Sequence, residues 1–141
     1  MRPILIALVC AASVPAAAAI RETAPPAGSV IAVGDWTYVG SSETTVMFVK
    51  AAPAAGSYRR VYVRFEDGVP FTRDDFGSSS SLELDDIDCQ GQKTRIVESV
   101  RYAAHNMTGE SRPDAIEPMW KSEAPGSFGA GLLAKVCSSA D

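Results

Sequence analysis

Hydrophobic and polar positions change rhythm several times along the chain, and each rhythm predicts an element. In "YRRVYVRFEDG" the apolar Val61, Val63 and Phe65 alternate with Tyr62, Arg64 and Glu66. A period of two is that of a strand with one face buried, so a half-buried strand is expected there. Upstream, "DWTYVGSSETTVMFVK" places Trp36 and Tyr38 in one short strand, Val46 to Lys50 in a second and "GSSE" in the turn between them. Downstream, "LELDDIDCQ" puts Leu82, Leu84 and Ile87 on strand positions, "GQK" turns the chain, and "TRIVESVRYAA" returns as the partner strand. "HNMTGESRPD" reads as a turn region. "EPMWKS" reads as a short last strand carrying Trp120, which Pro118 and Pro125 confine to an edge or a very short pairing.

The rhythm changes once more at the C-terminal end. Phe128, Leu132 and Val136 recur every four residues, with Leu133 and Cys137 one step round the same stripe, which predicts an amphipathic helix. Ser127 stands at its N-cap, and Pro125 and Gly126 keep the chain from being helical any earlier. Gly129 and Gly131 each weaken such a helix by about 1 kcal/mol relative to alanine, so packing has to hold it. The expected fold class is α+β, an antiparallel β-sheet of about five to six strands packed against one C-terminal helix. One long stretch, residues 67–81, is polar and rich in glycine and serine and reads as a loop. Loops of that length inside small domains are either functional or disordered. Its "RDDF" sets Phe76 beside Asp74 and Asp75, an aromatic ring among acids, and these three are the candidate recognition tip.

The first residues change the picture by fixing a compartment. "MRPILIALVCAASVPAAAAI" has a positive start at Arg2, an uncharged run from Ile4 to Val14, a helix-breaking Pro15 and the small residues Ala17, Ala18 and Ala19. That is the layout of a secretory signal peptide, with residues 1–19 removed and Ile20 the first mature residue. The apolar run is well short of the roughly 20 residues a spanning helix needs. Cys10 follows "ALV", where the bulky Val9 stands in place of the small residue that lipoprotein processing wants, so Cys10 is expected to leave with the signal peptide. Residues 20–33, with paired prolines and few large apolar side chains, read as a flexible arm, and residues 34–141 as the single folded domain. The expected location is periplasmic or secreted, with no stable membrane insertion after cleavage.

Cysteine count and charge then narrow the chemistry. Loss of the leader leaves Cys89 and Cys137, and an even pair in an exported chain predicts a disulfide between the sheet and the helix. The whole chain has 13 Lys plus Arg against 17 Asp plus Glu, a net charge of −4. Removing Arg2 with the leader makes the balance more acidic still. Nonspecific nucleic-acid binding needs clustered cations, so a protein partner is expected instead. His105 is the only histidine. It sits in a turn, and no G-x-S-x-G elbow accompanies it, since the spacing of "PGSFG" is wrong. Asp74, Asp75, Glu83, Asp85, Asp86 and Asp88 do not follow the spacing of an EF-hand loop, and one histidine with two oxidised cysteines does not make a zinc site. No catalytic residue, metal or cofactor is expected. Trp36 and Trp120 are expected in the core, and the tyrosines are the more open aromatic groups.

"DIDC" followed by "TRIV", Tyr102, Trp120, then "PGS" and a helix ending in "VC", with Trp36 early in the first strand, resembles the surface-adhesin protein E-like domains. The resemblance runs from about Gly34 to Cys137. It implies an antiparallel sheet packed on a C-terminal helix, export to the bacterial envelope, a disulfide at Cys89 and Cys137, and binding of host extracellular-matrix proteins in place of catalysis. Other readings of the same residues are an inhibitor of a basic hydrolase such as lysozyme, a small hydrolase using His105, and a structural envelope protein.

Overall fold

The computed structural model describes residues 30–54, 56–72 and 76–138. The strands are β1 (Thr37–Ser41), β2 (Thr45–Ala51), β3 (Arg59–Thr72), β4 (Gly77–Asp88), β5 (Lys93–Ala104), β6 (Thr108–Pro113) and the two-residue β7 (Lys121–Ser122). Side chains 69–72 of β3 are not described. A 3₁₀ turn, His105–Met107, joins β5 to β6, and the helix α1 is Phe128–Ser138. The sheet is antiparallel throughout, in the order β1-β2-β3-β4-β5-β6, with β7 also paired to β5. From β1 to β6 every strand therefore lies beside its neighbour in sequence, as short connections favour, and β7 alone returns to β5.

Helix α1 covers one face. Met47 and Val49 of β2, Val61 and Val63 of β3 and Ile87 of β4 form a buried cluster with Leu132, Leu133 and Val136 of the helix. Phe128 meets Phe65 edge to face at 5.9 Å. Ser127 caps the helix, its Oγ accepting from Ala130 N at 3.1 Å, as the sequence predicts. The disulfide between Cys89 and Cys137 joins the end of β4 to the last turn of α1, with 5.5 Å between Cα atoms and a sequence separation of 48 residues. Closing a loop of that size constrains the unfolded chain by about 4 kcal/mol in the chain-entropy account. Gly129 has a packing reason. A Cβ there would lie 2.2 Å from Glu123 Oε2, and the Glu123 carboxylate uses the space to accept a hydrogen bond from the Thr94 hydroxyl and pair with Lys121 Nζ at 3.2 Å.

Two expectations are corrected. Residues 67–81 are not one long loop, because β3 continues to Thr72 and β4 begins at Gly77. Ser80 suits a strand because its buried hydroxyl is satisfied by β5 and the 3₁₀ turn. Ser80 Oγ donates to Ala104 O at 2.6 Å and accepts from Met107 N at 3.0 Å. The "HNMTGESRPD" turn region also contains a strand, β6, whose six residues are all exposed. With neither face buried, it shows no hydrophobic period to read.

Candidate functional site

Arg64 and Glu66 are the polar half of the alternating strand, and the structure buries them: 3% and 0% of their surface is exposed. The reason is a second cover on the face opposite the helix, made by residues 30–36 and the 3₁₀ turn. Glu66 Oε2 accepts the His105 Nδ1–H at 3.0 Å, and its carboxylate also accepts from Asn106 N at 2.9 Å. Arg64 Nε lies 3.2 Å from Glu66 Oε1, an ion-pair distance without hydrogen-bond alignment. Arg64 Nη2 donates to Ala32 O at 2.7 Å, while its guanidinium lies 4.4 Å from the Phe48 ring centre and 5.2 Å from that of Trp36. Burial pulls this guanidinium below its usual range, and the neighbouring Glu66 charge opposes that shift. A buried carboxylate with this many donors is compensated where it stands.

The same contacts decide what His105 does. Its Nδ1 is committed to Glu66, and the nearby Ser80 hydroxyl donates to a backbone carbonyl. Asn106 and Met107 have positive φ, 60° and 58°, and the Glu66 carboxylate caps the turn that this conformation makes. His105 and Glu66 therefore fasten a turn to β3.

The sheet face opposite α1 is only partly covered. Tyr62 pairs across to Leu84, and Leu82 to Val100, so these four side chains share the face at intermediate exposure. Among the described residues no helix lies over them. At one end of this surface Asp86 binds two guanidinium groups, Arg60 Nε at 2.7 Å and Arg95 Nη2 at 2.5 Å. The Arg60 hydrogen bond, reinforced by Arg95, holds the Asp86 carboxyl below the usual carboxylate range. Arg95 lies 4.5 Å from the Trp120 ring, which itself packs at a tilt against Tyr58 with ring centres 4.7 Å apart. This cluster presents aromatic and cationic groups side by side, the chemistry of protein-interface anchors.

On the helix side, beyond the helix N-terminus, lies a cleft of about 270 Å³ lined by Thr45, Phe65, Asp67, Ser78, Ser81, Glu83, Ser99, Arg101 and Asp114. Burial raises the Glu83 carboxyl to about 7. Asp85, two residues along β4, is 5% exposed, and burial together with the Glu83 charge raises its carboxyl to about 8. The acids that look clustered in sequence are dispersed: Glu83 and Asp85 share the helix face, Asp86 the other, and Asp88 Oδ1 caps the turn by accepting from Gly91 N at 2.8 Å. Among the described residues no three His, Cys, Asp or Glu side chains form a metal cage.

Of the candidate recognition tip, Asp74 and Asp75 lie outside the described residues. Phe76 is 5% exposed, its ring centre 4.5 Å from the Arg112 guanidinium and 5.5 Å from that of Arg101. The ring thus packs against guanidinium groups of β5 and β6. Sequence reasoning passed over the Arg64–Glu66–Asn106 cluster because its partners lie tens of residues away. The available signal was the pair of charges two apart on a central strand.

No curated relative matches the chain. A crystal structure of Haemophilus influenzae protein E, crystal form II, matches its fold with a TM-score of 0.60 at 9% identity, over 82% of this chain and 94% of that one. The family model of Surface-adhesin protein E matches residues 36–138, from Trp36 at the edge of β1 to the last residue of α1. That span takes in the whole sheet, the helix and both bridged cysteines, and the chain belongs to the Surface-adhesin protein E family.

Proposed function

We propose that the chain is an exported envelope protein, cleaved after Ala19, whose folded domain from Gly34 onward binds another protein and carries out no catalysis. The observation that carries this reading is the sheet face opposite the helix, where Tyr62, Leu82, Leu84 and Val100 stay partly exposed beside the Arg95–Trp120–Tyr58 cluster. Apolar groups left in a contiguous group at the surface mark interaction sites, and Arg, Trp and Tyr are the side chains that anchor them. Family membership supports an adhesive role, and the structural relative carries the name protein E. Extracellular-matrix or envelope proteins are the expected partners. The commitment of His105 to Glu66 argues against the hydrolase alternative.

The test is capture of extracellular-matrix proteins and envelope extract by the oxidised mature chain, residues 20–141, at low and physiological salt. A partner held at physiological salt and lost on Leu84→Glu supports the reading. Absence of any partner for a demonstrably folded chain sinks it. The acidic cleft favours a second reading, inhibition of a basic hydrolase such as lysozyme. That reading requires lysozyme binding that weakens steeply with salt.

A further inference from the structure

The segment that covers Arg64 is fastened almost wholly through its backbone. Asn106 Nδ2 donates to Val30 O at 2.8 Å, and Asn106 Oδ1 accepts from Ala32 N at 2.7 Å. Taking the carbonyl of one residue and the amide two residues on is how a residue of a parallel strand grips its neighbour, and here one side-chain amide does it. Arg64 adds a third bond, to Ala32 O at 2.7 Å. Three of its four side chains face solvent, Val30 at 72% exposed, Val33 at 37% and Ala32, while Ile31 is half-buried. Such a grip selects an extended main chain and is tolerant of side chains.

The gripping groups are held in place independently of what they grip. The Glu66 carboxylate fixes the Asn106 backbone, and Phe48 stacks beneath the Arg64 guanidinium. After Ala32 and Val33, Gly34 turns at φ +57° with no atom within 4 Å of where its Cβ would stand. The chain can therefore leave the seat at a conformation that glycine tolerates, without disturbing β1.

We propose that the Asn106–Arg64 seat is a binding site for an extended segment of a partner polypeptide, and that residues 30–33 occupy it in cis as a displaceable ligand. The ligand class is an extended main chain offering a carbonyl, and two residues later an amide and a second carbonyl. A tethered occupant competes at high effective concentration, so partner binding is weak until the cis segment is released. The proposal rests on the protein-binding reading for its biological use only. The seat is tested with a synthetic peptide, so its failure leaves matrix-protein capture by the Leu84 surface standing or falling separately.

The experiment uses the full mature chain with Ala32→Pro, which removes the amide that Asn106 accepts from and leaves the seat intact. The probe is a labelled peptide of residues 28–34, GSVIAVG, followed by fluorescence anisotropy. The expected result is at least tenfold tighter binding to Ala32→Pro than to the unaltered chain. That gain should be lost when the peptide is N-methylated at its alanine, or when Asn106→Gly, which tolerates the positive φ, is added. A peptide with the two valines replaced by threonine should bind within about threefold, because those side chains are exposed and Asn106 grips Val30 through its backbone. Equal binding to both chains, or indifference to N-methylation, overturns the proposal. So does dimer formation by Ala32→Pro, which would make a second copy the occupant. If Ala32→Pro does not fold, amide exchange in the unaltered chain decides. Millimolar peptide should speed exchange at Ala32 and leave β3 unchanged, and no change overturns the proposal.

Discussion

On the helix side of the sheet, Met47, Val49, Val61, Val63 and Ile87 meet Leu132, Leu133 and Val136, and a disulfide ties the last helical turn to β4. On the other side the buried groups are mostly polar, Arg64, Glu66, Ser80 and Asp86 with the Phe48 ring, and the cover of Arg64 and Glu66 is a short extended segment and a 3₁₀ turn joined by hydrogen bonds. Apolar burial is nondirectional and survives small displacements, whereas a buried ion network depends on every partner being in place. The first face is therefore suited to holding the fold. The second combines a polar latch with open apolar surface, and so is the side on which another molecule can be received.

The contrast can be broken from either side. Replacing Cys89 and Cys137 together by serine should cost about 4 kcal/mol of stability in denaturant unfolding, with the whole domain losing stability at once. Glu66→Ala should cost about 3 kcal/mol, because it strips the buried Arg64 of its counter-charge and leaves Asn106 N unpaired. Its loss should be local first: limited proteolysis should open residues 30–36 and 105–107 before any strand of the helix side.

Acidity sharpens the comparison. Burial holds the carboxyl groups of Glu83 and Asp85 at about 7 and about 8, so the folded chain keeps protons that the unfolded chain releases near pH 4. Their contribution is fully present below about pH 4 and declines as the pH rises through 7 and 8. Asp85→Asn should accordingly gain on the parent between pH 6 and 9 in thermal unfolding. Asp86 works in the opposite sense, since Arg60 and Arg95 hold its carboxyl low. Its contribution stands above about pH 4 and is lost on acidification below that. Asp86→Asn should therefore lower stability above about pH 4 and flatten the acid limb. The smallest effect is at the helix start. Gly129→Ala should stabilise a Glu123→Ala background by up to about 1 kcal/mol and destabilise the parent, where that Cβ meets the Glu123 side chain.

Much of the helix side was legible in the sequence. The four-residue spacing of Phe128, Leu132 and Val136 and the cap at Ser127 are local signals, and local signals survive folding unchanged. The alternation of Val61, Val63 and Phe65 placed the core face of β3 equally well. The other face was not legible, because Arg64 and Glu66 read as solvent-facing until the chain returns from Ala32 and from Asn106 to cover them. Ser78 and Ser80 misled for a related reason: their hydroxyls are fully buried, and for Ser80 the partners lie 24 and 27 residues along the chain. Phe76 drew attention as an aromatic among acids, and the guanidinium groups it packs against come from β5 and β6.

The proposed division of labour between the two faces can be measured directly. Immobilised extracellular-matrix proteins should capture the oxidised mature chain at physiological salt. Tyr62→Glu with Leu84→Glu should abolish capture while leaving the unfolding midpoint nearly unchanged, and Leu133→Ala should lower the midpoint while leaving capture by the folded fraction intact. Capture that survives the paired glutamates, or that fails with Leu133→Ala in fully folded protein, would contradict it.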